Sequence, residues 1–139
     1  MADRAQPAPS RDLVAVTAGA IRLASGVSFL VAPSRASELW GADPDDNPTA
    51  SLLLRSMGYR DALIGALLLG AGLRNSPTTP GWFLASAGAD LADLVGGIAN
   101  HDRLPERSRS VGIGGAALGI GIGVLGAARA RRRRPRPSG

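Results

Sequence analysis

Four apolar stretches of eighteen residues or more run through the chain: Leu13 to Ala32, Ala50 to Leu73, Gly81 to Ala99 and Val111 to Ala128. A helix needs about 20 mostly apolar residues to cross roughly 30 Å of hydrocarbon, so each stretch is long enough for one crossing. The chain of 139 residues has room for a single domain. Its mean hydropathy is only slightly positive, because polar termini and loops dilute the four blocks. The expected fold class is therefore all-α, an integral membrane four-helix bundle.

The punctuation between the blocks supports helices. Pro33 stops the first, since the residue before a proline avoids helical backbone. Asn47-Pro48 offers the second a capping side chain and a proline at its first position. Pro80-Gly81 and the Pro105 loop separate the others. Connections this short favour antiparallel neighbours and an up-and-down topology. The expected organisation is a cytoplasmic amino-terminal segment over residues 1–12, a transmembrane domain over 13–128 and a basic cytoplasmic tail over 129–139.

Orientation follows from charge. All sixteen basic residues are arginine, and six of them, Arg129, Arg131, Arg132, Arg133, Arg134 and Arg136, lie in the tail. Without them ten Arg face eleven acids, so the net charge of +5 describes a tail and not a nucleic-acid surface. Arginine-rich flanks resist translocation, which places the carboxyl terminus in the cytoplasm; an even number of crossings of the cell membrane brings the amino terminus there too. Glu38, Asp43, Asp45 and Asp46 suit an outside first loop, whereas Arg103, Arg107 and Arg109 suit an outside third loop less well. Trp40 and Trp82 sit beside helix ends, where indoles favour the headgroup region. The tail is also a candidate contact for anionic lipid. A soluble bundle is the competing fold, but the fourth block offers no polar face, which a soluble surface helix requires.

Several chemistries are excluded. The chain has no cysteine, hence no disulfide, thiol nucleophile or cysteine-ligated metal. His101 is the only histidine and cannot build a His-based metal site alone. No metal or cofactor is expected. Asp43, Asp45 and Asn47 begin like a calcium loop, but Pro48 stands where glycine is required and Leu54 where glutamate is required. Gly121, Gly123 and Gly126 match a dinucleotide motif without a preceding strand. No serine has the context of a nucleophile. The first block is too long for a signal-peptide core and carries Arg22 in its middle, so it reads as a retained helix.

The informative residues are ionisable ones within the blocks: Arg22 in the first, Arg55, Arg60 and Asp61 in the second, Asp90 and Asp93 in the third. On an insertion scale a central Arg or Asp costs about 2.5–3.5 kcal/mol against about 0.5 returned by each Leu or Ile, so these charges should face the interior and pair. Arg22 shares a face with Ala18, Gly19, Ser25 and Gly26; Asp61 with Gly58 and Gly65; Asp90 and Asp93 with Ser86, Gly97 and Asn100. A shared cluster is geometrically feasible. It could hold register, line a polar cavity or carry protons. In the fourth block Gly115, Gly119 and Gly123 recur at four-residue spacing, which permits close helix packing within the monomer or between copies in a homo-oligomer.

The pattern Arg22-x3-Gly26, Pro33, Trp40-Gly41, Arg55-x2-Gly58-x-Arg60-Asp61-x3-Gly65, followed by an Asp in the third helix, resembles a family of small four-helix membrane proteins of unknown function common in actinobacteria. The resemblance spans about residues 13 to 128 and implies a four-helix membrane fold with no assigned activity. The architecture is more distantly similar to DoxX-like membrane proteins, some linked to quinone or sulfur redox chemistry. The leading expectation is a non-enzymatic structural or accessory membrane component. A small transporter or proton-coupled carrier is the alternative, and a membrane redox or lipid-modifying enzyme a weaker one.

Overall fold

The computed structural model describes residues 11–39, 47–104 and 106–133. Over them the chain is all-α, with five α-helices and a short 3-10 turn at His101–Arg103. The helices are α1 (Leu13–Val31), α2 (Pro33–Leu39), α3 (Pro48–Leu73), α4 (Thr79–Ala99) and α5 (Glu106–Arg132). Trp40, Gly41, the acids Asp43, Asp45 and Asp46, Pro105, Arg134 and Arg136 lie outside the described residues.

Four helices are long, as expected, and their boundaries differ from the sequence reading for local reasons. Ala32 is extended because Pro33 follows it, so α1 ends at Val31. The same proline then serves as the first residue of α2, an element not anticipated because seven residues are too few to show periodicity. The Asn47 side chain accepts from the backbone N–H groups of Thr49 and Ala50 and starts α3 two residues early. In α5 no proline or glycine interrupts the arginines at either end. The helix therefore begins at Glu106 and continues through Arg129, Arg131 and Arg132, and the tail is partly helical.

α1, α4 and α5 are long and apolar enough to cross a membrane. α3, with 26 residues, is long enough, but Arg55, Arg60 and Asp61 dilute its apolar character.

The long helices pair as two tight antiparallel hairpins, α1 on α3 and α4 on α5. Glycines set the first at heptad spacing. A Cβ on Gly19, Gly26, Gly58, Gly65 or Gly72 would come closer than 3.0 Å to atoms of the facing helix, backbone among them. In α5 three glycines face α4: a Cβ on Gly119 would strike the Asp90 carboxylate, one on Gly123 Ala87 and the Phe83 carbonyl, and one on Gly126 the Phe83 ring. Small residues at such positions let backbones approach. The hairpins meet at one end over Ala15, Leu68, Phe83 and Ala127, with Ala18 and Trp82 against them. Asn75 takes a left-handed conformation, φ 48°, in the tight α3–α4 turn.

The Asp12 carboxylate clamps that end. It caps α1 through the Val14 and Ala15 amides and accepts from Arg129 at 3.1 Å, while its backbone N–H donates to the Gly72 carbonyl at the end of α3.

The side chains are distributed inside out relative to a protein packed in water. Buried positions are mostly alanine and glycine, whereas Ile21, Val31, Leu52, Leu53, Leu91, Val95, Leu118 and Leu125 are exposed on the outer faces of the long helices.

Gly26→Leu would press into Ala62 and Gly58 backbone, which cannot yield. It is expected to cost at least about 1–3 kcal/mol, the usual penalty of overpacking. Gly88→Ala, inside α4 with open space around its Cβ, is expected to stabilise by about 0.5–1 kcal/mol through helix propensity. Thermal unfolding in detergent followed by circular dichroism measures both.

Candidate functional site

Arg22 stands near the middle of α1, Arg60 and Asp61 near the middle of α3, and Asp90 near the middle of α4. Up-and-down packing superimposes these midpoints, and the side chains meet between the two hairpins.

The Arg22 guanidinium is the hub. Its two terminal nitrogens grip the Asp90 carboxylate as a fork, Nη1 to Oδ2 and Nη2 to Oδ1, each at 2.9 Å. Nη1 also donates to Ser86 Oγ at 2.7 Å and Nη2 to Asp61 Oδ1 at 3.0 Å. Three of these contacts are hydrogen bonds and the Nη2–Oδ1 approach to Asp90 is an ion-pair contact; the buried Nε has no hydrogen-bond partner among the described residues. A second fork joins Arg60 to Asp93, with Nη1 to Oδ1 at 3.1 Å and Nη2 to Oδ2 at 2.7 Å. Arg60 Nε donates to the same Asp61 Oδ1 at 3.1 Å. The result is a chain of charges, Asp90, Arg22, Asp61, Arg60 and Asp93, in which Asp61 bridges two bidentate pairs through one oxygen.

Burial grades along this chain. The side chains of Arg22 and Asp90 are 13% and 12% exposed, against 34% and 37% for Arg60 and Asp93. Paired, hydrogen-bonded ions of this kind fix geometry strongly, and removing one partner leaves the other charge uncompensated.

Of the six charged residues expected to cluster, five do. Arg55 is exposed on α3 and, among the described residues, makes no ion pair with the rest. Two guanidiniums therefore face three carboxylates, and the network carries one net negative charge if all are ionised.

Two cavities reach the network. One, of about 470 Å³, occupies the half of the bundle near α2; its apolar walls include Phe29, Leu54 and Met57, and Asp61, Asp90 and Asp93 line it as well. The other, of about 280 Å³, lies along α1, α4 and α5. Ser25, Asp61, Asp90 and Gly115 line both. Thus Gly115 borders both cavities and Gly119 the smaller one, while Gly119 and Gly123 also pack on α4. Among the described residues, no three His, Asp or Glu side chains are placed to hold a metal ion.

The basic tail also has an internal contact. Arg129 pairs with Asp12, whereas Arg131, Arg132 and Arg133 are exposed. Asp12 carries a signal in the sequence, since an Asp immediately before an apolar run is a capping residue. Helical spacing places Ser86 on the face of Asp90, and only the packing of α1 against α4 adds its bond from Arg22.

The family model for the domain of unknown function DUF4267 matches residues 19–128. The chain belongs to this family. The matched segment holds the whole Arg22-to-Asp93 network and the full lining of the cavity near α2, and excludes Asp12 and Arg129, so the clamp at the basic end lies outside the family's defining region. No curated protein and no solved structure matches the chain.

Arg22→Met removes the fork on Asp90 and is expected to destabilise the fold by about 3–5 kcal/mol, the cost of stranding a buried charge. Arg60→Met, at the more exposed fork, is expected to cost less. Arg22→Met with Asp90→Leu is expected to recover part of the loss, a coupling that a double-mutant unfolding cycle in detergent reads directly.

Proposed function

We propose that the chain is an integral protein of the cell membrane that crosses it four times through α1, α3, α4 and α5, with both termini cytoplasmic. In this reading it is a non-enzymatic structural or accessory component, and its internal network fixes the register of the helices. The observation that carries the reading is the inside-out distribution: branched apolar side chains cover the outer faces, while the interior holds small residues and paired charges at mid-height. In water such a surface would be an aggregation liability. In lipid it is the arrangement that solvates the helices and shelters the ions.

The charges of α3 do not oppose a crossing under this reading. Asp61 and Arg60 are compensated by Arg22 and Asp93 of neighbouring helices, so α3 enters the bilayer as a partner of α1 and α4 and not as an isolated segment. Orientation has support in the charges at the two ends. Arg11, Arg74, Arg129, Arg131, Arg132 and Arg133 gather at the Asp12 end, while the opposite end mixes Arg35, Arg103, Arg107 and Arg109 with Glu38, Asp102 and Glu106. The basic end suits the cytoplasmic leaflet, where Arg131 to Arg133 contact anionic headgroups.

A small carrier is the second reading, favoured by the two cavities that meet at Asp61 and Asp90. Intramembrane acids are the usual parts of proton relays.

Reporter fusions at the carboxyl terminus and within His101–Arg103 are expected to report the cytoplasm and the outside, respectively. A chain recovered in the soluble fraction, or a tail exposed outside, would overturn the membrane reading. In proteoliposomes the accessory reading expects proton flux no higher than in empty vesicles. Flux that vanishes in Asp90→Asn or Asp93→Asn would promote the carrier.

A further inference from the structure

We propose that the cavity of about 470 Å³ between the hairpins binds a small monovalent organic cation, an amine or quaternary ammonium on a compact apolar body. The proposal goes beyond the accessory reading by giving the same network a ligand. It relies on membrane placement only for the added cost of an excess charge in lipid.

The charge count selects the sign. Asp90 and Asp93 each have both oxygens engaged by a guanidinium fork. Asp61 is shared: one oxygen accepts from Arg22 and Arg60, and its Oδ2 makes no hydrogen bond among the described residues. The uncompensated negative charge thus resides where Asp61 lines the cavity. A net charge among apolar helices is costly, and a bound monovalent cation would cancel it. An anion would add to it.

The remaining chemistry selects the kind of cation. A magnesium or calcium ion requires several oxygen ligands in place of water, whereas one carboxylate oxygen is uncommitted here. An organic cation needs a single counter-charge and an apolar surface for its body. Phe29, Leu54, Met57 and Ala92 provide that surface, and the volume falls within the range of about 300–1,000 Å³ common to small-molecule sites. Gly96 and Gly112 also line the cavity and have open space where a Cβ would stand, so nothing in the fold requires them to be glycine. Their small size keeps the cavity clear.

The test uses the full chain in phosphatidylcholine nanodiscs and radiolabelled benzyltrimethylammonium in equilibrium dialysis, with protein-free discs as baseline. Saturable binding of one cation per chain is expected, displaced by unlabelled tetraethylammonium and not by benzenesulfonate. Asp61→Asn removes the excess charge and leaves the two forks balanced; at least tenfold weaker binding is expected. Gly112→Leu fills the cavity without touching a charge, and the same loss is expected with an unchanged circular dichroism spectrum. If Asp61→Asn fails to fold, Gly112→Leu and the displacement series decide. Binding no greater than in protein-free discs, equal displacement by benzenesulfonate, or undiminished binding by folded Asp61→Asn or by Gly112→Leu would overturn the proposal. These outcomes do not depend on which way the chain faces in a cell, so failure of the site and failure of the topology are separable.

Discussion

The guanidinium of Arg22 touches α3 and α4 from α1 at the level where all the long helices pass their midpoints. The tight packing of the fold lies within two hairpins, α1 with α3 and α4 with α5. Halfway along the bundle, the connection between hairpins passes largely through Arg22 on Asp90 and Arg60 on Asp93, with Asp61 joining the two cations on the α1–α3 side. A forked guanidinium–carboxylate pair is directional and short-ranged, so it specifies the rotation of α1 and α4 about their axes as well as their separation. Hydrophobic contact alone would leave that rotation loosely defined, because the interior surfaces are mostly alanine and glycine and offer few shapes to interlock.

The same small residues explain how the charges come so close. Gly65 lets the α3 backbone lie against Arg22 and Leu23, and Gly119 leaves room for the Asp90 carboxylate against α5. The glycines that look like a packing motif and the charges that look like a functional motif are two halves of one arrangement. Asp12 and Arg129 make a separate contact at the basic end, over the buried cluster of Ala15, Leu68, Phe83 and Ala127. The opposite half, near α2, holds the larger of the two cavities that reach the network. One end is closely packed and the other hollow, and the smaller cavity along α1, α4 and α5 reaches the network as well.

The helices and the shared charged face were legible in the sequence because both depend on local spacing. Apolar length marks a helix wherever it lies, and Asp90 and Ser86 fall on one face by helical periodicity alone. Arg55 shows where that reasoning stops. It lies on α3 only five residues before Arg60, yet it points away from the network, because five residues bring a helix part-way round its circumference and not back to the same face. The expected balance of three positive and three negative charges consequently became two against three. Asp12 and Arg129 were missed for a different reason: they are far apart in sequence, and only the antiparallel return of α5 brings them together.

Composition and spacing by themselves determined that this chain is all-α, that it has four long helical segments, that thiol chemistry is absent and that its internal ions need partners. Those conclusions rest on the cost of burying charge and on the length of a helix, which hold for any arrangement of the segments. Tertiary structure decided which ions pair: Arg22 with Asp90 and Asp61, and Arg60 with Asp93 and Asp61. It also decided that Asp61 is the carboxylate with an unpaired oxygen and that a cavity lies beside it. Pairing depends on the rotation and height of one helix against another, and those are set by glycines on facing helices whose register no single segment records.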